Sequence, residues 1–298
     1  NQIIEEPPMK VLTFLLLFLC AAPVLNAQVR KHKKKHSTAA GSLFFYWGYN
    51  RSFYTHSNIR FIGPEYDFKL KDVVAYDRPD KFRANVYLNP STITVPQYNA
   101  RGGYYFRDKW AITAGVDHYK YVMADQNEVL LDGFIADGLD TTWAGNYDDE
   151  PVVTDRNKFH YENTNGVNFI RIELMRSFDL LEFGAQRQIA LTGNLGAGLG
   201  PILTYNDLNF AQSHTFATRS ISGYGVGING SLRLEFFRLF FVSMESGLGF
   251  IHLTHVRTRP DDRDQYAKQK FGFSSYFATA GAIFYLRPKN GCDSCPNW

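Results

Sequence analysis

Gly223-Tyr-Gly-Val-Gly-Ile-Asn-Gly-Ser-Leu-Arg-Leu-Glu-Phe236 followed by Phe240-Phe-Val-Ser-Met-Glu-Ser-Gly-Leu-Gly-Phe-Ile-His-Leu-Thr254 is the stretch that decides the fold. In its first half Tyr224, Val226, Ile228, Leu232, Leu234 and Phe236 share one parity, and Gly223, Gly225, Gly227, Asn229, Ser231, Arg233 and Glu235 share the other. A turn around Arg238 and Leu239 leads to a second strand, with Phe240, Val242, Met244, Leu248 and Phe250 on one face. Ser243, Glu245, Gly247 and Gly249 occupy its other face. A period of two places alternate side chains on opposite faces of a sheet. An apolar outer face over a polar, glycine-rich inner face inverts the pattern of a soluble sandwich and fits a transmembrane β-barrel, where lipid lies outside.

The same alternation recurs along the chain. Leu43, Phe45, Trp47, Tyr49 and Phe53 oppose Gly48, Asn50 and Ser52; Gln97, Asn99, Arg101 and Gly103 oppose Tyr98, Ala100, Gly102, Tyr104 and Phe106. Trp110, Ile112, Ala114 and Val116 oppose Thr113, Gly115 and Asp117, and Ile170, Ile172 and Leu174 oppose Arg171 and Glu173. Ile189, Leu191, Leu195 and Leu199 oppose Thr192, Asn194, Gly196 and Gly198, and a last strand within 271–287 turns Tyr276, Ala278, Ala280, Ala282, Phe284 and Leu286 outward. With the opening pair these predict an all-β, antiparallel barrel of eight strands over 42–288. Short links at 107–109, 179–187 and 238–239 alternate with long ones at 55–95, 123–164, 206–221 and 255–270. Bacterial outer-membrane barrels have short periplasmic turns and longer external loops, so both termini are expected in the periplasm. A ten-strand alternative arises if Tyr66, Phe68 and Leu70, and the segment from Phe82 to Val86, also cross; eight strands with an external hairpin or folded plug is preferred.

Compartment follows from the N-terminus. Met9 and Lys10 lead into the apolar run from Val11 to Cys20, with Asn26-Ala27-Gln28 after it. This predicts a signal peptide over 9–27, cut after Ala27; residues 1–8 read as foreign sequence or a misassigned start. Leu19 is too large for a lipoprotein cleavage pattern at Cys20. A basic periplasmic tail, 28–41, carries Arg30-Lys31-His32-Lys33-Lys34-Lys35-His36; such a block is either a disordered tail or a hold on acidic lipid, partner or peptidoglycan. The net charge of +3 gives no case for nucleic acid. A mean hydropathy of −0.28 is as expected of a barrel as of a soluble protein, and aromatics at 16% suit the two membrane interfaces. The tail 289–298 holds Cys292 and Cys295, expected to form a small disulfide loop in an oxidising compartment. No cofactor or metal is expected.

Trp47-Gly48-Tyr49-Asn50-Arg51-Ser52, the stretch from Tyr66-Asp67-Phe68 to Asp77-Arg78-Pro79, Pro96-Gln97-Tyr98-Asn99 and Gly115-Val116-Asp117-His118 resemble uncharacterised outer-membrane β-barrel proteins of the Bacteroidota. The Asn26-Ala27-Gln28 region is similar to signals of that phylum. The resemblance implies a barrel in a Gram-negative outer membrane and carries no catalytic residues with it.

Candidate functional residues fall into four groups. Arg101, Asp117, Arg171, Glu173, Arg233, Glu235 and Glu245 share the inward parity, and buried charges must pair; they form either a structural plug or a gate for small solutes. An acidic loop, Asp125 to Asp155 against Arg156, lacks calcium-loop spacing and is expected to be solvated. His252, Thr254 and His255 near the rim raise a lipid A-modifying enzyme, although no Ser and acid complete a motif. Ala278, Ala280 and Ala282 form a small-residue row suited to packing against a larger barrel. The favoured function is a non-catalytic interaction or scaffold protein in contact with outer-membrane lipid and lipopolysaccharide; an enzyme or a small-solute channel are the alternatives.

Overall fold

The computed structural model describes residues 40–79, 83–87, 97–184 and 187–286. The expected signal peptide, nearly all of the basic tail, and Cys292 and Cys295 lie outside the described residues. All described residues belong to one unit, Ser37–Trp298.

Eight strands close a ring: β1 (Ser42–Tyr54), β5 (Tyr98–Arg107), β6 (Trp110–Met123), β9 (His160–Phe183), β10 (Ile189–Phe210), β11 (Ser213–Phe236), β12 (Phe240–Arg257) and β13 (Tyr266–Tyr285). Every ring pairing is antiparallel, and β1 returns to β13 over its whole length, from Ser42↔Tyr285 to Tyr54↔Phe273. Closure pairs the backbone polar groups that lipid could not satisfy. Most of the expected outward residues are exposed, among them Phe45, Ile172, Leu195, Ile228, Met244 and Phe284, and others such as Trp47, Leu191 and Ala282 are half-buried. Strand alternation alone therefore located the lipid-facing surface.

Two hairpin turns fall elsewhere than the sequence pattern predicts. Between β11 and β12, Phe237 and Arg238 both take positive φ, at 51° and 62°, one residue earlier than the expected turn. Leu239 N donates to Phe236 O at 3.0 Å across it. The supposed long link 206–221 is corrected outright: β10 runs on to Phe210, Ala211 and Gln212 turn with φ near 55°, and β11 begins at Ser213. Two consecutive positive-φ residues match the right-handed twist of paired strands, which is why such two-residue turns join hairpins. Polar residues in both extensions, Asn206, Asp207, Thr215 and Thr218, had disguised the ladder as a loop.

The other long links build further sheet. β2 (Ser57–Gly63) pairs the far end of β13, β3 (Tyr66–Val73) pairs β2, β7 (Glu128–Ile135) pairs β3, and β8 (Gly145–Val153) pairs β7. β4 (Ala75–Tyr76) pairs β6. The Tyr66 alternation is thus part of a hairpin outside the ring, at its long-link end, and Ala84–Tyr87 of the other proposed strand form a helical turn, α1. The ten-strand alternative falls with both. The acidic link is likewise corrected, since most of it is the β7–β8 hairpin, with Lys71 bridging Asp132 at 3.0 Å and Asp149.

The inner face is not polar throughout, as the pattern had led one to expect. Phe44, Tyr46, Tyr105, Met175, Phe241 and Ile283 form an apolar cluster at the short-turn end. A larger core fills the long-loop end, with Phe61, Phe68, Tyr121, Phe159, Tyr161, Phe210 and Phe271 among its buried rings. A small barrel has to fill its interior with side chains, and where both parities are aromatic, as in Leu43-Phe44-Phe45-Tyr46-Trp47, alternation cannot say which ring goes in.

Candidate functional site

Between those two apolar clusters lies a layer of charge. β5 supplies Arg101, β6 Asp117, β9 Arg171 and Glu173, and β12 Glu245, all inward by parity and all buried. Arg101 Nη2 donates to Asp117 Oδ1 and Oδ2 at 2.8 and 2.7 Å, and its Nε reaches Oδ1 at 3.0 Å. Its Nη1 donates to Glu245 Oε1 at 2.9 Å and to Tyr46 Oη at 3.2 Å. Arg171 joins the same cluster, 3.2 Å from Asp117 and paired with Glu173. The Phe277 ring underlies Arg101 at 5.3 Å, and the Phe169 ring underlies Arg171 at 5.3 Å.

The structure brings five of the seven expected residues together and leaves two apart. Arg233 stands between the Phe44 and Phe241 rings, at 4.9 and 4.2 Å, and donates to Tyr105 Oη at 3.3 Å. Glu235 lies closer to the short-turn end, 3.5 Å from Arg187 and accepting from Thr192 at 3.3 Å. Arg187 also meets Asp179 at 3.0 Å and Glu182 at 3.3 Å. Its place in a turn gave it no parity, so no periodic signal marked it as an inward charge.

A second polar cluster escaped the sequence reading. Glu162, on the part of β9 beyond the lipid-facing zone, lies 2.8 Å from His160 Nε2 and 2.6 Å from Arg156 Nη2. It also lies 3.4 Å from Arg78 and accepts from Thr164 Oγ1 at 2.7 Å. Burial by itself would raise the Glu162 carboxyl, but the bonds with His160 and Thr164 and the Arg156 charge pull it down to about 2. Arg78 and Arg156 come from two separate links and meet Glu162 only in the fold, while His160 and Thr164 flank it on β9.

The rim histidines sit apart from this cluster. His252 Nδ1 is 3.1 Å from Tyr224 Oη, and the His255 ring stacks on Tyr266 at 4.2 Å. Ala278 and Ala280 are exposed on β13, flanked in register by Tyr49 and Met244 and by Trp47 and Val242; Ala282 is half-buried between Phe45 and Phe240. Among the described residues no group of three or more His, Cys, Asp or Glu side chains is arranged to hold a metal ion.

No protein-family model matches the chain, and neither does any curated protein. Several solved structures are similar to it. Outer membrane protein OprG from Pseudomonas aeruginosa is 10% identical, with a TM-score of 0.38, covering 84% of this chain and 99% of that one. Ail, the attachment invasion locus protein of Yersinia pestis, is 11% identical, with a TM-score of 0.31, covering 82% and 99%. The outer membrane protease OmpT from Escherichia coli is 9% identical, with a TM-score of 0.32, covering 85% and 99%. The eight-strand assignment rests on the closed register of this chain itself.

Proposed function

We propose that this chain is an integral protein of a Gram-negative outer membrane, with its short-turn end in the periplasm, acting as a non-conducting anchor that presents a rigid interaction platform outside. The observation that carries this reading is the filled interior: an apolar cluster, a paired charge layer and an aromatic core follow one another along the barrel. The long links support it too, since β2, β3, β7 and β8 among their described residues extend the barrel wall as β-sheet. A platform of fixed shape loses little conformational freedom on binding, which favours recognition over transport. The alanine row, low between ridges of larger side chains, offers a further face for a neighbouring barrel in a larger assembly.

Reconstitution of the purified barrel into planar bilayers tests the reading. The expected record has no large, stable conductance. Steady stepwise currents that survive between preparations would overturn it in favour of a solute channel.

A further inference from the structure

Just above the lipid-facing zone of β13, the outward parity changes from small residues to cations. Lys270 and Lys268 both point outward and are exposed. In register, Lys270 stands beside His252 of β12, and Lys268 beside Arg60 of β2, which in turn faces Lys69 of β3. Arg60 is already engaged by Asp67, at 2.7 Å, and Lys69 lies 3.9 Å from Asp132. Lys268 and Lys270 have no ion-pair partner among the described residues; Lys268 Nζ lies over the Tyr266 ring at 5.5 Å. Successive outward positions on a strand are about 7 Å apart, close enough for both ammonium groups to reach one phosphate.

The wall directly below them has a complementary shape. Gly272 and Ser274 are the next outward positions of β13, and both are small. In register Gly272 stands beside Phe250 and Ser274 beside Leu248 on β12, and Ser274 faces Phe53 on β1. Those three side chains are prominent, at 40%, 58% and 60% exposure. These heights leave a shallow trough below the two lysines, with apolar walls at Phe250, Leu248 and Phe53 and with Thr55 on the β1 side of Gly272, its Oγ1 accepting from Gly272 N at 3.0 Å. Tyr224, exposed and level with Lys270 through His252, is the residue type that marks a membrane interface.

We propose that Lys268 and Lys270, assisted by His252, bind the phosphate of a membrane lipid whose acyl chain lies in the trough over Gly272 and Ser274. The inference rests on the membrane-anchor reading above. Lysine is a point-charge phosphate binder, and basic residues at a membrane surface draw anionic lipid. The trough is what separates a lipid site from a plain anion site: it aligns a chain with the bilayer while the lysines hold its head.

Native mass spectrometry of the full barrel in detergent tests the proposal, with phosphatidic acid, diacylglycerol of the same chains and inorganic phosphate as probes. Wild type is expected to retain phosphatidic acid, to release diacylglycerol, and to keep its lipid in excess inorganic phosphate. Lys268→Gln with Lys270→Gln should weaken retention about thirtyfold, and Ser274→Trp should weaken it with the charges intact. Heat-modifiable gel migration establishes that each variant is folded. Unchanged retention in the double lysine variant overturns the proposal, as does displacement by inorganic phosphate, which would mark an anion site without a chain seat. Bilayer conductance reports on the anchor reading separately, because a conducting barrel could still hold this lipid.

Discussion

Arg101 and Asp117 meet diagonally across β5 and β6, joined through three guanidinium–carboxylate contacts of 2.7 to 3.0 Å with neither side chain exposed. Breaking a buried pair by removing one partner costs about 3–5 kcal/mol, because the other charge is stranded, whereas replacing both with apolar groups can be neutral. Arg101→Leu should therefore lower the urea midpoint of the folded barrel sharply, and Arg101→Lys should recover only part of it, since an ammonium lacks the planar fork. Arg101→Leu combined with Asp117→Leu should be less damaging than the sum of the singles. Additive losses would show that the two residues act separately.

Room for that pair comes from Gly115, opposite Arg101 in the register. A Cβ there would stand 2.2 Å from Ala100 O and 2.6 Å from Arg101 Cα and Cγ. Gly115→Val is expected to abolish the heat-modifiable folded band. Gly102→Ala, whose added carbon would meet nothing nearer than 3.9 Å, should leave it unchanged. A folded Gly115→Val barrel would remove the steric argument.

At the long-loop end Phe68 is buried against Phe61 at 5.2 Å and Phe210 at 5.3 Å. Truncating such a ring costs about 3–5 kcal/mol, and the loss should be felt locally, where β2 and β3 leave the ring. Phe68→Ala is expected to open residues 57–73 to added protease while the barrel still migrates as a folded species. Protease resistance equal to wild type would mean that the external sheet does not depend on this core.

Glu162 should make the external cap sensitive to acid. Its folded carboxyl lies at about 2, below the ordinary value of 4.5. A depressed carboxylate contributes stability that is present above pH 4.5 and lost as pH falls from there toward 2. The difference in cap stability between wild type and Glu162→Gln, read by hydrogen exchange on β9 and β6, should be full near neutrality and should shrink across that window. A difference independent of pH would argue that the carboxylate is held by geometry alone.

Alternation along the chain determined the barrel, its eight strands and its lipid face. The reason is physical: in a closed sheet every second side chain must meet lipid, and residues such as Ile228 and Leu248 declare that at once. Inward charge was legible on the same ground, as Arg101, Asp117, Arg171, Glu173 and Glu245 show. Which of those charges pair was decided by register and shear, which no local pattern encodes; hence Arg233 went to Phe44 and Phe241, and Glu235 to Arg187. The alternation of Tyr66, Phe68 and Leu70 marked β3, but the strands it and β2 join were beyond reach of periodicity, because β2 pairs β13 and β3 pairs β7, both distant in the chain. The lipid seat joins Lys270 to Phe53 across β13 and β1, a neighbourhood that exists only once the ring has closed.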